Sequence, residues 1–432
     1  TGHVVFDMQN KSFQMNYGGG SVDIGISKLN DDASDLLWST YIGGSDQEYV
    51  HSIVVNGFND VVVYGKTYST DYPVAANALD TSYNGGIDIC LTIISDSGDV
   101  LIGSTYLGGE GADGANSISG VPYASFKGEV VCDIYSNVYV ASTTSSDSIQ
   151  VSSTAWATNR IGMQDGYVAK LNYNLSVLEF GTYLGDSLND GAFNLKPAKD
   201  GTVYVVGVTS SPDFPTTAGA EDEGYNGGQS DGFITRLSAD GSSILQSTFI
   251  RSDSTLNDAD RGLFLQVDRD GEIFVLGTSG GSIVADTNRY VGPGTNQGSY
   301  IRKYTKTLDS IHWTSTFANL SHSAFLVDNC KNIYAAGNGA NGNGNFELTA
   351  NAVQPSPAGF YIIVLNPEAD SLIHGTFFGT AGSHVDGGTS RFDKRGAVYQ
   401  ATCTNGFSFP QTSNAWSGNQ NGGTYDLTLF KI

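Results

Sequence analysis

Val203-Tyr204-Val205-Val206-Gly207 and Asp231-Gly232-Phe233-Ile234-Thr235-Arg236-Leu237 read as two β-strands, because β-branched and aromatic residues crowd both runs. Between them lie Ser211-Pro212-Asp213-Phe214-Pro215 and Tyr225-Asn226-Gly227-Gly228, whose Pro, Asn and Gly interrupt regular structure and mark a long loop. Working outward, Asp200-Gly201 is an Asp-Gly turn, a strong hairpin signal that places another strand before it. On the other side Ser247-Thr248-Phe249-Ile250 supplies a fourth strand. The unit is a meander of four short strands: inner, second, third and outer.

The unit recurs along the chain. The outer strand returns as Ser39-Thr40-Tyr41-Ile42-Gly43-Gly44, Ser104-Thr105-Tyr106-Leu107-Gly108-Gly109 and Gly181-Thr182-Tyr183-Leu184-Gly185, with weaker copies at Ser315-Thr316-Phe317 and Gly375-Thr376-Phe377. The threonines are spaced by 65, 77, 66, 68 and 60 residues. The second strand returns as Val61-Val62-Val63-Tyr64-Gly65, Val138-Tyr139-Val140-Ala141, Ile273-Phe274-Val275-Leu276-Gly277, Ile333-Tyr334-Ala335-Ala336-Gly337 and Val398-Tyr399-Gln400-Ala401. The third strand has seven copies, the closest to Asp231–Leu237 being Asp165-Gly166-Tyr167-Val168-Ala169-Lys170-Leu171. Four antiparallel strands per period imply an all-β propeller. Seven third strands predict seven blades, with six as the alternative because the first and last units are incomplete. A closed ring removes exposed sheet edges, and His3–Met8 is expected to complete the last blade by supplying its outer strand. The chain is read as one domain over residues 1–432, a piece of a longer secreted protein.

Composition bounds the function. The net charge of -23 disfavours nucleic acid and anionic membrane surfaces, which demand an excess of Lys and Arg. No apolar run approaches the ~20 residues of a membrane helix. Cys90, Cys132, Cys330 and Cys403 are far apart and form no C-x-x-C pair, so they are expected to be buried free thiols rather than zinc ligands or disulfides.

The repeat resembles the SBBP family of bacterial β-propeller repeats. The resemblance rests on Val203–Gly207 with Asp213-Phe214-Pro215, Tyr225–Gly228 and Asp231–Leu237. Ser69-Thr70-Asp71-Tyr72-Pro73 with Tyr83-Asn84-Gly85-Gly86 and Asp88, and Phe409-Pro410 with Gly422-Gly423 and Asp426, add to it. It covers nearly the whole chain and weakens between about 250 and 380, where Phe-Pro is missing. It implies a secreted or surface protein of a Gram-negative bacterium of the gliding, type-IX-secreting kind, and it carries over no catalytic residue.

Several motifs touch on chemistry. Gly337-Asn338-Gly339-Ala340-Asn341-Gly342 fits G-x-G-x-x-G, but the Gly/Asn run after it starts no helix to face a pyrophosphate. Gly277-Thr278-Ser279-Gly280-Gly281 fits G-x-S-x-G without the helix of a nucleophile elbow. Asp268-Arg269-Asp270-Gly271-Glu272 has too few oxygen ligands for a calcium loop and reads as a turn. An acid begins each inner strand: Glu48, Asp113, Asp190, Asp260 and Asp386, with Ser321 in the sixth place. Because inner strands line the channel of a propeller, these carboxylates are expected at its mouth. There they would hold a cation such as calcium, or accept backbone N–H bonds and pin neighbouring blades. An insertion separates Asp113 from Val138. Asp-Ser steps at Ser148, Ser187, Ser254, Ser310 and Ser371 resemble the O-glycosylation acceptor of such bacteria, and equally suit turns. Trp156 and Trp416 sit at matching Ala-Trp positions of the long loops. They either stack on a ligand or anchor the loop inward, as Leu79 and Val353 at the same place suggest.

The reading is a non-enzymatic surface module of adhesion type, without a resident cofactor, that binds a protein partner or a surface glycan through its loops. A polysaccharide-degrading propeller and an architectural repeat of a surface filament are the alternatives.

Overall fold

The computed structural model describes residues 12–431 except 116–127, 253–258, 282, 294–297, 340–345, 381–390, 393–396, 405–408 and 418–425. Among the described residues there are 25 strands and no helix. The first sheet is two-stranded, β1 (Ile24–Leu29) with β2 (Leu36–Ile42). Five four-stranded sheets follow. The first comprises β3 (Glu48–Val55), β4 (Val61–Thr67), β5 (Asp88–Ile94) and β6 (Leu101–Leu107); the second β7 (Glu129–Cys132), β8 (Val138–Thr144), β9 (Asp165–Leu171) and β10 (Leu178–Leu184). The third comprises β11 (Asp190–Pro197), β12 (Val203–Thr209), β13 (Asp231–Leu237) and β14 (Ile244–Ile250). The fourth comprises β15 (Arg261–Val267), β16 (Ile273–Ser279), β17 (Gly298–Tyr304) and β18 (Ile311–Phe317). The fifth comprises β19 (Ser321–Val327), β20 (Ile333–Asn338), β21 (Phe360–Leu365) and β22 (Leu372–Phe378). A three-stranded sheet of β23 (Arg391–Phe392), β24 (Val398–Thr404) and β25 (Asp426–Lys431) ends the chain.

The propeller meander is therefore present, with five complete blades rather than seven or six. All seven third strands form, but a strand is not a blade: the first and last sheets have two and three strands. His3–Met8 lies outside the described residues. The two ends nevertheless meet. The Trp416 N–H donates to the Ala33 carbonyl at 2.9 Å, joining the β24–β25 loop to the β1–β2 turn.

That contact is one of a series. Phe13 N–H donates to Gly98 O, Leu79 to Leu175 O, Trp156 to Gly241 O, Glu221 to Leu308 O and Tyr290 to Ala369 O. In the first four blades and the last sheet the second-to-third-strand loop, and ahead of β1 the segment at Phe13, thus latches onto the third-to-outer-strand turn of the next sheet. All six acceptors have positive φ, from 49° at Ala369 to 81° at Gly98. This conformation is easy for glycine and costs about 1–2 kcal/mol for Leu or Ala. Leu175 and Leu308 are fully buried, which offsets the cost.

The same loops are strapped to their own outer strand by the recurring threonine. The Oγ1 of Thr40, Thr105, Thr182, Thr248 and Thr376 accepts from the N–H of Gln14, Asp80, Ala157, Asp222 and Gln354, at 2.9–3.1 Å. In the fourth blade Tyr300 pairs with Thr316, where Phe233 of the third pairs with Phe249. Ser315, not Thr316, therefore takes the threonine place, and its Oγ donates to Tyr290 O at 2.8 Å.

The glycine that follows the second-strand apolar run answers a bulge. The inner strand slips register between Val50/Ser52, Ala192/Asn194, Gly262/Phe264 and His322/Ala324, each time beside Gly65, Gly207, Gly277 or Gly337. A Cβ on Gly65 would lie 2.5 Å from Tyr49 O. The second blade has Ser142 instead, and there the inner strand is interrupted: Asp113 pairs with Thr144, and pairing resumes at Glu129 opposite Ala141. The insertion sits where the other blades bulge.

Hydrophobic layers between successive sheets form the core. Val62, Tyr64 and Leu91 pack with Val140 and Tyr167, and Phe193 packs with Leu263, Phe274 and Trp313. Cys90 is buried as expected, whereas Cys132 is half-buried and Cys330 is exposed in the β19–β20 turn; all three are free thiols. The side chain of Cys403 lies outside the described residues.

Candidate functional site

Glu48, Asp113, Asp190 and Asp260 do not stand open at a channel mouth. Each is at most 2% exposed, packed into the seam where one sheet passes to the next. There each accepts the N–H of the connection that precedes its inner strand: Gly44 on Glu48 at 3.0 Å, Gly109 on Asp113 at 2.7 Å, Asp186 on Asp190 at 2.8 Å and Ser252 on Asp260 at 2.6 Å. Hydroxyls at the end of the second strand complete the grip. Thr67 donates to Glu48 at 2.6 Å, Thr144 and Ser146 donate to Asp113, and Ser211 donates to Asp190 at 3.0 Å. Asp386 lies outside the described residues.

The sixth place is also reassigned. Gly337 approaches Ser321 O as Gly65 approaches Tyr49 O, the residue after Glu48. The acid position is therefore Leu320, buried, rather than Ser321, because the bulge sets the register.

A second acid set escaped the sequence reading as a site. Asp88, Asp165 and Asp231 open the third strands and are at most 1% exposed. Asp88 accepts from Asn84 N at 2.8 Å, Asp165 from Ile161 N at 3.0 Å and Asp231 from Asn226 N at 2.7 Å. Asp23 plays the same part ahead of β1, accepting from Gly18 N at 2.6 Å. The Asp of the Asp-Gly-aromatic motif was the signal for them; what sequence spacing does not reveal is that each faces the inner-strand acid of the next sheet. Between the two carboxylates sits the glycine after the outer strand. A Cβ on Gly43 would lie 2.5 Å from Asp23 Oδ1 and 2.6 Å from Glu48 Oε2. The pairs are Asp23–Glu48, Asp88–Asp113, Asp165–Asp190 and Asp231–Asp260.

Electrostatics follow from this placement. Burial drives Glu48 up to about 7, with the Asp23 charge adding to it. Burial also lifts Asp88, Asp190 and Asp231 to about 7, with Asp113, Asp165 and Asp260 respectively adding repulsion. Asp165 rises to about 6, again by burial, with Arg160 opposing. Asp113 and Asp260 move upward for the same first reason. Among the described residues no group of three or more His, Cys, Asp or Glu is placed to hold a metal ion, so each seam offers a cation two carboxylates.

The remaining candidates fall elsewhere. Ser148, Ser187, Ser310 and Ser371 are exposed, and their hydroxyls bond to Glu110, Asp213, Asp309 and Asp370; Ser254 lies outside the described residues. Trp156 packs against the core layer of Tyr139, Phe180 and Phe233, while Trp416 is 46% exposed. Both supply latch N–H groups. Asp268–Glu272 is the β15–β16 turn, with Lys331 Nζ 3.0 Å from Asp268. Ser279 Oγ accepts from Gly281 N at 2.9 Å and is buried, a strand-end role; residues 340–342 of the Gly-rich run lie outside the described residues.

One surface departs from the polar rule. The inner-to-second-strand tips carry Lys199-Asp200, Arg269-Asp270 and Asn329-Cys330 in the third to fifth blades, all exposed. The first two blades carry Phe58, 62% exposed, and Ile134-Tyr135, 88% and 73% exposed. The tips touch, since Gly57 N–H donates to Ser136 Oγ at 3.1 Å. Tyr173, 50% exposed in the β9–β10 turn, meets Phe58 edge to face at 6.3 Å. Together they form one contiguous aromatic patch.

No family model matches the sequence, and no curated protein does. Solved structures resemble it at low identity. A protein of unknown function from Dyadobacter fermentans is 9% identical with a TM-score of 0.46, over 88% of this chain and 93% of that one. A europium-containing methanol dehydrogenase is 9% identical with a TM-score of 0.41, over 91% and 73%. The β-propeller domain of the Trilobed protease from Pyrococcus furiosus is 10% identical with a TM-score of 0.37, over 89% and 81%.

Proposed function

We propose that this propeller is a non-enzymatic module of a secreted or cell-surface protein that binds a protein partner. The observation that carries the reading is the patch of Phe58, Ile134, Tyr135 and Tyr173 on an otherwise charged set of hairpin tips. Exposed aromatic side chains cost solubility and are the residues that dominate interface energetics. The resemblance of the repeat to SBBP propellers supports the surface location.

Crosslinking mass spectrometry in the native cells tests this. Crosslinks should concentrate on residues around 55–60, 133–137 and 173, and replacing Phe58, Tyr135 and Tyr173 with Ser should abolish them without changing thermal stability by more than about 1 kcal/mol. Unchanged crosslinking in that variant refutes the assignment. A surface glycan is the second reading, favoured by the three aromatic rings, which present flat faces for sugar stacking. Retention on immobilised extracellular polysaccharide, lost in the same variant, would select it.

A further inference from the structure

The carboxylate pairs have one oxygen too few donors. Asp113 has donors on both oxygens and room for one more: Gly109 N and Ser146 Oγ donate to its Oδ2, and Thr144 Oγ1 to its Oδ1. Its partner Asp88 receives Asn84 N on Oδ2, while its Oδ1 is buried with no donor. That Oδ1 and Asp113 Oδ2 are the atoms that crowd the Cβ position of Gly108. The Asp165–Asp190 seam departs from this pattern: Asp165 accepts Ile161 N on Oδ2 and Gly162 N on Oδ1, and Asp190 Oδ2, the oxygen beside Gly185, accepts Asp186 N and Ser211 Oγ. A buried acceptor without a donor costs free energy, and two like charges at close range cannot both remain ionised cheaply.

We propose that Asp88 and Asp113 share one proton across the blade seam, so that this seam is a proton-binding site which tightens the ring in mild acid and loosens it above neutrality. The proton sits on Asp88 Oδ1, supplying the missing donor and pointing at Asp113 as acceptor. The charged groups acting on the pair are further acids, Asp80 on Asp88 and Glu110 on Asp113, and the rings of Tyr83, Tyr106, Tyr167 and Tyr183 lie around it. None of these supplies a positive charge. At the Asp165–Asp190 seam Arg160 stands beside Asp165 and opposes its upward shift. The fifth seam shows the same geometry with neither acid: Gly298 and Leu320 take the two places.

The sign is fixed by linkage. A carboxyl whose folded value lies above its unfolded value makes the native state bind more protons than the unfolded state between about pH 4 and about 7. Stability therefore falls as pH rises through that window and is level above it. Thermal unfolding of the whole chain in EDTA at fixed ionic strength should give a melting temperature that drops from pH 5 to pH 8. Unfolding at pH 6 should release protons into weakly buffered solution. Asp88→Asn, which carries a permanent N–H donor in place of the proton, should shrink the pH 5-to-8 difference and melt no lower than wild type at pH 8. Proton uptake or no proton exchange by wild type at pH 6 overturns the proposal, whether or not the variant folds. So does a rise in wild-type melting temperature when calcium is added at pH 8 that Asp88→Asn abolishes, since the seam would then hold a cation.

Discussion

The first four seams and the fifth close the same fold with opposite chemistry. Asp23–Glu48, Asp88–Asp113, Asp165–Asp190 and Asp231–Asp260 each bury two acids, whereas the fifth buries Leu320 against Gly298 and Ser299, whose Oγ accepts from Leu320 N at 3.1 Å. The latch is the same on both sides of the comparison, and the inner-strand bulge recurs at the first, third, fourth and fifth seams, the second having an interrupted strand in its place. Burying carboxylates is not required to join two blades, so at neutral pH the acid pairs are an expense of stability that the fifth seam avoids.

The comparison can be broken most severely at Leu320. Leu320→Asp puts a lone carboxyl where no second-strand hydroxyl or partner acid awaits it, and should cost about 3–5 kcal/mol at pH 8. Part of the loss should return at pH 5, where the carboxyl is neutral; denaturant melts at the two pH values read this directly. The reverse exchange, Asp88→Gly with Asp113→Leu, copies the fifth seam into the second. It should leave stability at pH 8 unchanged or raised by about 1–4 kcal/mol and shrink the pH slope by this seam's share, Glu48, Asp190 and Asp231 keeping theirs. A loss at pH 8 would mean that the acids do more than occupy the seam. Thr67→Val removes the hydroxyl that donates to Glu48 and should cost about 1–3 kcal/mol, more at pH 8 than at pH 5 because the charged form loses the donor. The smallest effect belongs to the straps: Thr248→Val orphans the Asp222 N–H for about 1–2 kcal/mol, and Ser315→Ala in the fourth blade should cost less, its Oγ only donating to Tyr290 O. Equal costs would show that the two straps are equivalent despite the slip.

Much of the fold was legible because strands announce themselves. Val203–Gly207 and its copies are short continuous runs of β-branched and aromatic residues, as strands buried on both faces need, and Asp200-Gly201 and Asp270-Gly271 mark hairpin turns whose glycines have φ of +84°. What failed were single-residue registers. Thr316 and Ser321 were matched by residue type, but Thr316 pairs with Tyr300 of the third strand, and the bulge against Gly337 sets the acid position ahead of Ser321. The true equivalents, Ser315 and Leu320, stand one residue earlier. The blade count failed differently, since counting third strands says nothing about whether three others pair beside each. The acid pairs were half legible: Glu48, Asp113, Asp190 and Asp260 stood out, but their partners are strand-opening aspartates of the preceding sheet, and only the ring brings them together.

The latches also give the molecule a mechanical order. Among the described residues the latch from Trp416 to Ala33, with Asn414 Nδ2 donating to Asp32 beside it, joins the last sheet to the first, so tension applied between those two sheets loads it first. Once it yields, the ring is an open string of blades, each held to the next by a hydrophobic layer, a seam and a loop latch. Pulled further, such a string pays out blade by blade. Each step should release roughly 65 residues, about 220 Å of extended chain at ~3.4 Å per residue, so that a pull on the ends is absorbed in increments.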